Sequence, residues 1–310
     1  MYRSIACVAL LVSSVAGHAA APVQTCETSW TDPSRDDRQI PVRIRMPAGT
    51  GHVPLVLFSH GLGGSLDSGT DWAEAWTEAG VAVINIQHPG SDRGILRDGG
   101  WLAAMSPAQL FARAGDVHFV LDQVEQHPKV GACVLSRIDL ARVGMSGHSF
   151  GAITTEAVSG ERYGKARLES LADPRIKAAI SFSPSPPREG DDATAFAGIR
   201  MPFFSVTGTA DSVAITPWVK PEDRQRPYRA MPPGGKYLLV LDGANHMEFN
   251  GQDTLRDGLK PDPHVRAVTI AATTAFWRAT LLGDDAAHRW LANAGGLKAM
   301  LSPTDRLELK

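Results

Sequence analysis

The chain is poor in the features that mark several large protein classes. Only 3 of its 310 residues are cysteine, with no C-x-x-C and no H-E-x-x-H, so no usual zinc-site pattern is present and no metal is expected. Charge is close to balanced, 31 basic against 33 acidic residues for a formal net of -2, and there is no long basic stretch. That argues against nucleic acid as a partner. No apolar run beyond the first twenty residues is long enough to cross a bilayer, which argues against stable membrane insertion. Repeats, low-complexity tracts and a linker that would cut the chain in two are also missing. A hydrophobic content of 43% in this length can fill one large core, and 30 Gly with 21 Pro suit many short loops.

The N-terminus reads as a secretory signal over residues 1–21. Arg3 supplies the positive start, Ile5 to Val15 the apolar segment, and Gly17 to Ala21 the small residues for cleavage. Cys7 comes too early and Cys26 too late for a lipoprotein box. The mature chain, residues 22–310, is therefore expected to be a single exported domain, periplasmic or secreted. Cys7 leaves with the signal, so Cys26 and Cys133 are the mature pair. An oxidising compartment permits a disulfide between them, and a bridge and two free thiols both stay open at this point.

The mature chain alternates strand and helix. Gln39 to Met46 alternates apolar and polar residues, and Pro41 within it predicts an edge strand. Continuous apolar runs at Pro54–Ser59, Val81–Ile86, Arg142–Ser146, Ala178–Phe182, Phe203–Thr207 and Tyr237–Leu241 predict strands buried on both faces. Helical patterns fall at Asp71–Ala79, Pro107–Gln126, Ala152–Ser159, His264–Leu282 and Asp285–Ala294, with Ser106 as N-cap of the longest. This rhythm predicts an α/β fold, a mostly parallel sheet with helices on both faces. Three irregular stretches, residues 88–106, 183–200 and 217–235, are candidate cap or pocket walls at the strand C-terminal side, with surface decoration as the alternative.

Gly147-His148-Ser149-Phe150-Gly151 is a G-x-S-x-G pentapeptide between a predicted strand and a predicted helix. In that setting the turn lifts the serine hydroxyl into a cleft. A serine needs a base, and the base an orienting acid. Asp211 and His246 each follow the end of a later predicted strand, giving the chain order Ser149, Asp211, His246. Rival bases are His148, expected to point away from the serine, and His127, His264 and His288, expected at the surface. Rival acids are Asp242, too close to His246 in sequence, and Asp191 or Asp192. Ser183 stands at the other strand end where an acid can sit. The oxyanion needs two N–H donors, and the backbone of Phe150 and of Leu62, in the glycine-rich Ser59–Gly64 turn, are the candidates, with His60 bracing that turn.

Phe58-Ser59-His60-Gly61-Leu62-Gly63-Gly64, the Gly147–Gly151 pentapeptide, Ala244-Asn245-His246 and the Asp32 to Val42 segment together resemble the α/β-hydrolases, in their dienelactone-hydrolase-like and platelet-activating-factor-acetylhydrolase-like branch. The resemblance spans roughly Trp30 to Trp277. It implies an α/β-hydrolase fold and a serine esterase without cofactor. Two departures limit it: dienelactone hydrolases use cysteine where this chain has Ser149, and the acetylhydrolases place their acid at the position of Ser183 rather than Asp211. The expectation is hydrolysis of short to medium acyl esters, small-molecule or polymeric, with activity falling as pH drops through the histidine pKa. A polyester or lipid esterase on the same triad and a non-catalytic binding protein on the same fold are the rivals. Trp72, Trp76, Trp101 and Trp218 are either cleft or packing residues, and the oligomeric state is not legible.

Overall fold

The computed structural model describes residues 23–95, 100–163, 169–187, 190–252, 258 and 260–310. The anticipated signal over 1–21 lies outside the described residues. The chain begins with β1 (Gln24–Asp32), β2 (Arg38–Met46) and β3 (Val53–Ser59), followed by α1 (Thr70–Glu78) and β4 (Ala82–Ile86). Next come α2 (Pro107–Gln126), β5 (Ile138–His148) and α3 (Phe150–Ser159), then a two-stranded ribbon of β6 (Arg162–Tyr163) and β7 (Glu169–Ser170). The rest is β8 (Ile176–Phe182), β9 (Phe203–Ala210), β10 (Lys236–Asn245), α4 (Pro263–Leu281), α5 (Asp285–Ala292) and β11 (Arg306–Leu309). Ser106 caps α2, its side chain accepting from the Gln109 N–H.

The main sheet runs β1-β2-β4-β3-β5-β8-β9-β10-β11. Its middle, β4 through β10, is parallel, and β1, β2 and β11 join antiparallel. Alternate residues face opposite ways along a strand. Val56 and Phe58 therefore pack with Trp72 and Trp76 of α1 and Phe276 and Trp277 of α4. Leu55 and Leu57 pack with Val117, Val120 and Leu121 of α2 on the other face.

One expectation about the sheet needs correction. Pro41 does not mark an edge, because β2 lies between β1 and β4. Pro41 stands one residue past the last β2–β4 pair, Val42 with Ile86, and its carbonyl still accepts from Gln87 N–H at 2.9 Å, so its missing N–H forfeits only the reciprocal bond at the end of that ladder. The true edges, β1 and β11, escape the apolar-run reading because one is polar and the other has four residues. Cys26 on β1 and Cys133 are joined in a disulfide, with Cα atoms 6.2 Å apart across 107 positions of sequence. Among the described residues no helix is long and apolar enough to cross a membrane.

Candidate active site

Ser149 sits between β5 and α3 at φ 58° and ψ -113°, a left-handed backbone that a non-glycine residue seldom adopts. The surroundings hold it there. Its N–H donates to the Phe182 carbonyl at 3.0 Å, and its own carbonyl accepts from Ala152 and Ile153 N–H. A Cβ on Gly147 would meet the Gly151 carbonyl oxygen at 2.3 Å, and one on Gly151 would meet the Ser59 carbonyl oxygen at 1.8 Å. Both glycines are thus fixed by close backbone approach.

His246 follows β10 and opens a short 3₁₀ turn (His246–Asn250), with the Asn245 side chain accepting from Met247 N–H at 2.9 Å. Its Nε2 lies 2.9 Å from Ser149 Oγ, and its Nδ1 lies 2.7 Å from Asp211 Oδ1. Asp211, fully buried just past β9, also accepts from Thr207 Oγ1 at 2.7 Å. Burial alone would raise its carboxyl, but the His246 hydrogen bond and the Arg224 charge outweigh burial and lower it. An ionised Asp211 can only accept, so His246 carries its proton on Nδ1 and leaves Nε2 to accept from the serine.

Arg224 was not a candidate from sequence. It is buried, donates from Nε to the Asp211 carbonyl at 2.8 Å, and from Nη1 to the Ser183 carbonyl at 3.1 Å. The Ser183 position therefore supports the Asp211 loop through backbone, rather than supplying an acid. His148 does not point away as expected. Its Nε2–H donates to the His246 carbonyl at 2.8 Å, and its ring packs on that of His246 at 4.7 Å. Burial, aided by the His246 charge, lowers it to about 3, so it stays neutral. Asp242 faces elsewhere, accepting from Thr209 Oγ1. Asp191 accepts from Thr194 N–H and Asp192 pairs with Arg226. His264 pairs with Asp305, His127 stacks on Trp30, and His288 is exposed.

Ser149 opens on a cleft of about 220 Å³. Gly61, Leu62, His148, His246, Met247 and Asn250 line it, with Ser65 and Arg93 at one side and Val213 and Ile215 at another. Of the three long loops, only the first reaches the cleft among the described residues, through Arg93. Neither the Leu62 nor the Phe150 N–H is taken up by another backbone group among the described residues. Gly63, at φ 69°, makes the turn after Leu62. His60 braces this turn from Nδ1 to the Gly61 carbonyl at 2.6 Å. Trp72 and Trp76 belong to the core, Trp218 is exposed, and the Trp101 side chain lies outside the described residues. No group of three His, Cys, Asp or Glu suited to a metal occurs among the described residues.

A ferulic acid esterase from Streptomyces cinnamoneus has a similar structure, with a TM-score of 0.59 at 22% identity over 87% of this chain and 93% of that one. The fold is that of the α/β-hydrolases. No family model matches the sequence, and no curated protein does. In this fold the strand C-termini carry the chemistry, and Ser149, Asp211 and His246 follow β5, β9 and β10 on that side.

Proposed function

We propose that the chain is an exported serine hydrolase of carboxylic esters. The observation that carries this reading is the unbroken series from Ser149 Oγ through His246 to Asp211, at 2.9 and 2.7 Å, opening on a cleft. His246 Nε2 takes the serine proton as Oγ attacks the ester carbonyl, and returns it to the leaving alcohol. Asp211 holds the tautomer and stabilises the imidazolium. The Leu62 and Phe150 N–H groups take the oxyanion in acylation and again when water releases the acid. The disulfide supports export, since such bonds persist in oxidising compartments.

The small cleft fits a short to medium acyl group, or one aromatic ring such as the acyl group named for the Streptomyces protein. The motifs at Phe58–Gly64 and Gly147–Gly151 support a place near the dienelactone-hydrolase-like branch. Ile215 in the cleft wall is 43% exposed, and Trp218, three residues on in the chain, is 64% exposed, which favours an extended apolar ester, a polyester or lipid, as second substrate class.

The test is p-nitrophenyl esters of rising chain length, with hydroxycinnamate esters beside them, on the parent and Ser149→Ala. Turnover should fall by about six orders of magnitude in the variant. A variant with parental turnover refutes the mechanism. A folded parent with no turnover and no fluorophosphonate labelling favours a binding protein.

A further inference from the structure

Two charged residues lie on the core face of α2. Arg113 and Asp116 are both fully buried among apolar neighbours such as Ala114 and Val117. A buried guanidinium requires acceptors for its N–H groups, and Arg113 finds them on three separate segments. Nη2 donates to Ser59 Oγ at 2.8 Å and to the His60 carbonyl, at the root of the turn that carries Leu62. Nη1 donates to Ser91 Oγ at 2.9 Å, in the loop after β4. Nε donates to Thr154 Oγ1 at 2.8 Å on α3, and the guanidinium carbon stands 4.5 Å from the Phe150 ring centroid. One side chain therefore touches both backbone segments assigned to the oxyanion.

The same turn is fixed from behind. The His88 N–H donates to His60 Nε2 at 3.0 Å, which places the His60 proton on Nδ1, toward Gly61. His88 gives its Nδ1–H to Asp116 and accepts from Ser59 Oγ at Nε2, both at 2.9 Å. Ser59, His88 and Asp116 repeat the hydroxyl, imidazole, carboxylate order of the active site, but all three are buried and none lines the cleft. A nucleophile must meet its substrate, so this second series can only orient. Asp116 is already engaged by Arg35 and Arg38. The acceptors of Arg113 are three hydroxyls and one carbonyl, all neutral, and it pairs with no carboxylate among the described residues. Asp116 acts on Arg113 only through space and is shared with Arg35 and Arg38, and charge only partly offset in a dry interior acts strongly on charge that develops nearby.

We propose that Arg113 is a positioning residue for the oxyanion hole: it clamps the Ser59–Gly64 turn to the start of α3 and sets a positive charge, only partly offset by Asp116, behind both donors. This rests on the ester-hydrolase reading above. Its effect belongs to the tetrahedral state, so it should show in kcat and leave KM nearly unmoved.

The experiment compares the parent with Arg113→Met, which keeps bulk but drops charge and fork, and Arg113→Lys, which keeps charge alone. Thr154→Val and Ser91→Ala each remove one acceptor of Arg113 without touching the reacting atoms. Readouts are kcat and KM on p-nitrophenyl butyrate and the rate of fluorophosphonate labelling at Ser149, with circular dichroism to verify folding. Arg113→Met should lose about 100-fold in kcat with KM within about twofold, the labelling rate should fall in parallel, and Arg113→Lys should lie between. A folded Arg113→Met within threefold of parental kcat, or a loss carried by KM, overturns the proposal. If Arg113→Met does not fold, Thr154→Val and Ser91→Ala decide: a several-fold drop in kcat at constant KM supports the role, and unchanged kcat in both overturns it. A parent that neither turns over nor labels refutes the esterase reading and this role with it. A parent that labels, with variants labelling at the same rate, refutes the positioning role alone.

Discussion

Replacing Gly151 with alanine inserts a methyl group into the joint between the nucleophile turn and β3. The added carbon would stand 1.8 Å from the Ser59 carbonyl oxygen, 2.6 Å from its carbon and 3.0 Å from the His60 carbonyl oxygen. These are backbone atoms of the segment that leads to Leu62, so no side-chain rotation relieves the contact. To bring 1.8 Å to the 3.0 Å floor of real contacts, α3 and the end of β3 must separate by about 1.2 Å. Overpacking of this kind costs about 1–3 kcal/mol or more, which lowers the unfolding midpoint by about 2–5 °C or more in a domain of this size. A displacement near 1 Å in a catalytic constellation costs about 100-fold in rate. Gly51→Ala is the matched control, since an added Cβ there meets nothing within 4 Å. Thermal unfolding by circular dichroism and kcat on p-nitrophenyl butyrate read the two effects. A Gly151→Ala chain that melts with Gly51→Ala and keeps its kcat would refute the assignment of this contact as the spacer between nucleophile and oxyanion turn.

Two further outcomes follow from buried chemistry. His88 and His148 are held neutral, lowered to about 4 and about 3, mainly by burial and then by the charges of Arg113 and His246 respectively. Groups whose folded pKa is depressed contribute stability above their unfolded value near 6.5, and that stability is lost as pH falls toward the folded value. The loss is about 2 kcal/mol for each by pH 5, so Tm should drop by about 7 °C between pH 7.5 and 5; a flat profile refutes neutral burial. The disulfide closes a segment spanning 107 positions, so Cys26→Ser with Cys133→Ser should cost about 2–4 kcal/mol, read as a lower urea midpoint; an unchanged midpoint refutes the cross-link as a stabiliser.

The parallel core was legible because strands buried on both faces need unbroken apolar runs, and β3, β4, β8, β9 and β10 supply them. Ser149, Asp211 and His246, the residues proposed for the chemistry, could be picked out because each follows the end of a predicted strand. Support for them was less legible. Arg224 sits in a loop whose partners, Asp211 and Ser183, come from other strand ends, and no local pattern joins them. Arg113 and Asp116 did leave a trace, since both fall within the stripe of Leu110, Ala114, Val117 and Leu121 on α2, where a charged residue signals a buried partner. Pro41 misled because the local rule counts the missing donor but not where the ladder ends.

The cross-link divides the molecule in covalent terms along a line that the fold does not follow. The segment between Cys26 and Cys133 contains Leu62, His60, His88 and Arg113, while Ser149, Asp211 and His246 all lie beyond it. A protease cut between Gly64 and Cys133 leaves two fragments, one with the Ser59–Gly64 turn and the other with Ser149, Asp211 and His246. The bridge keeps them one molecule, and β3, clasped between β4 and β5, keeps its place in the sheet. A nicked chain can thus stay one covalent unit whose integrity depends on one sulfur–sulfur bond, and a reductant would remove the covalent tie that the cut left.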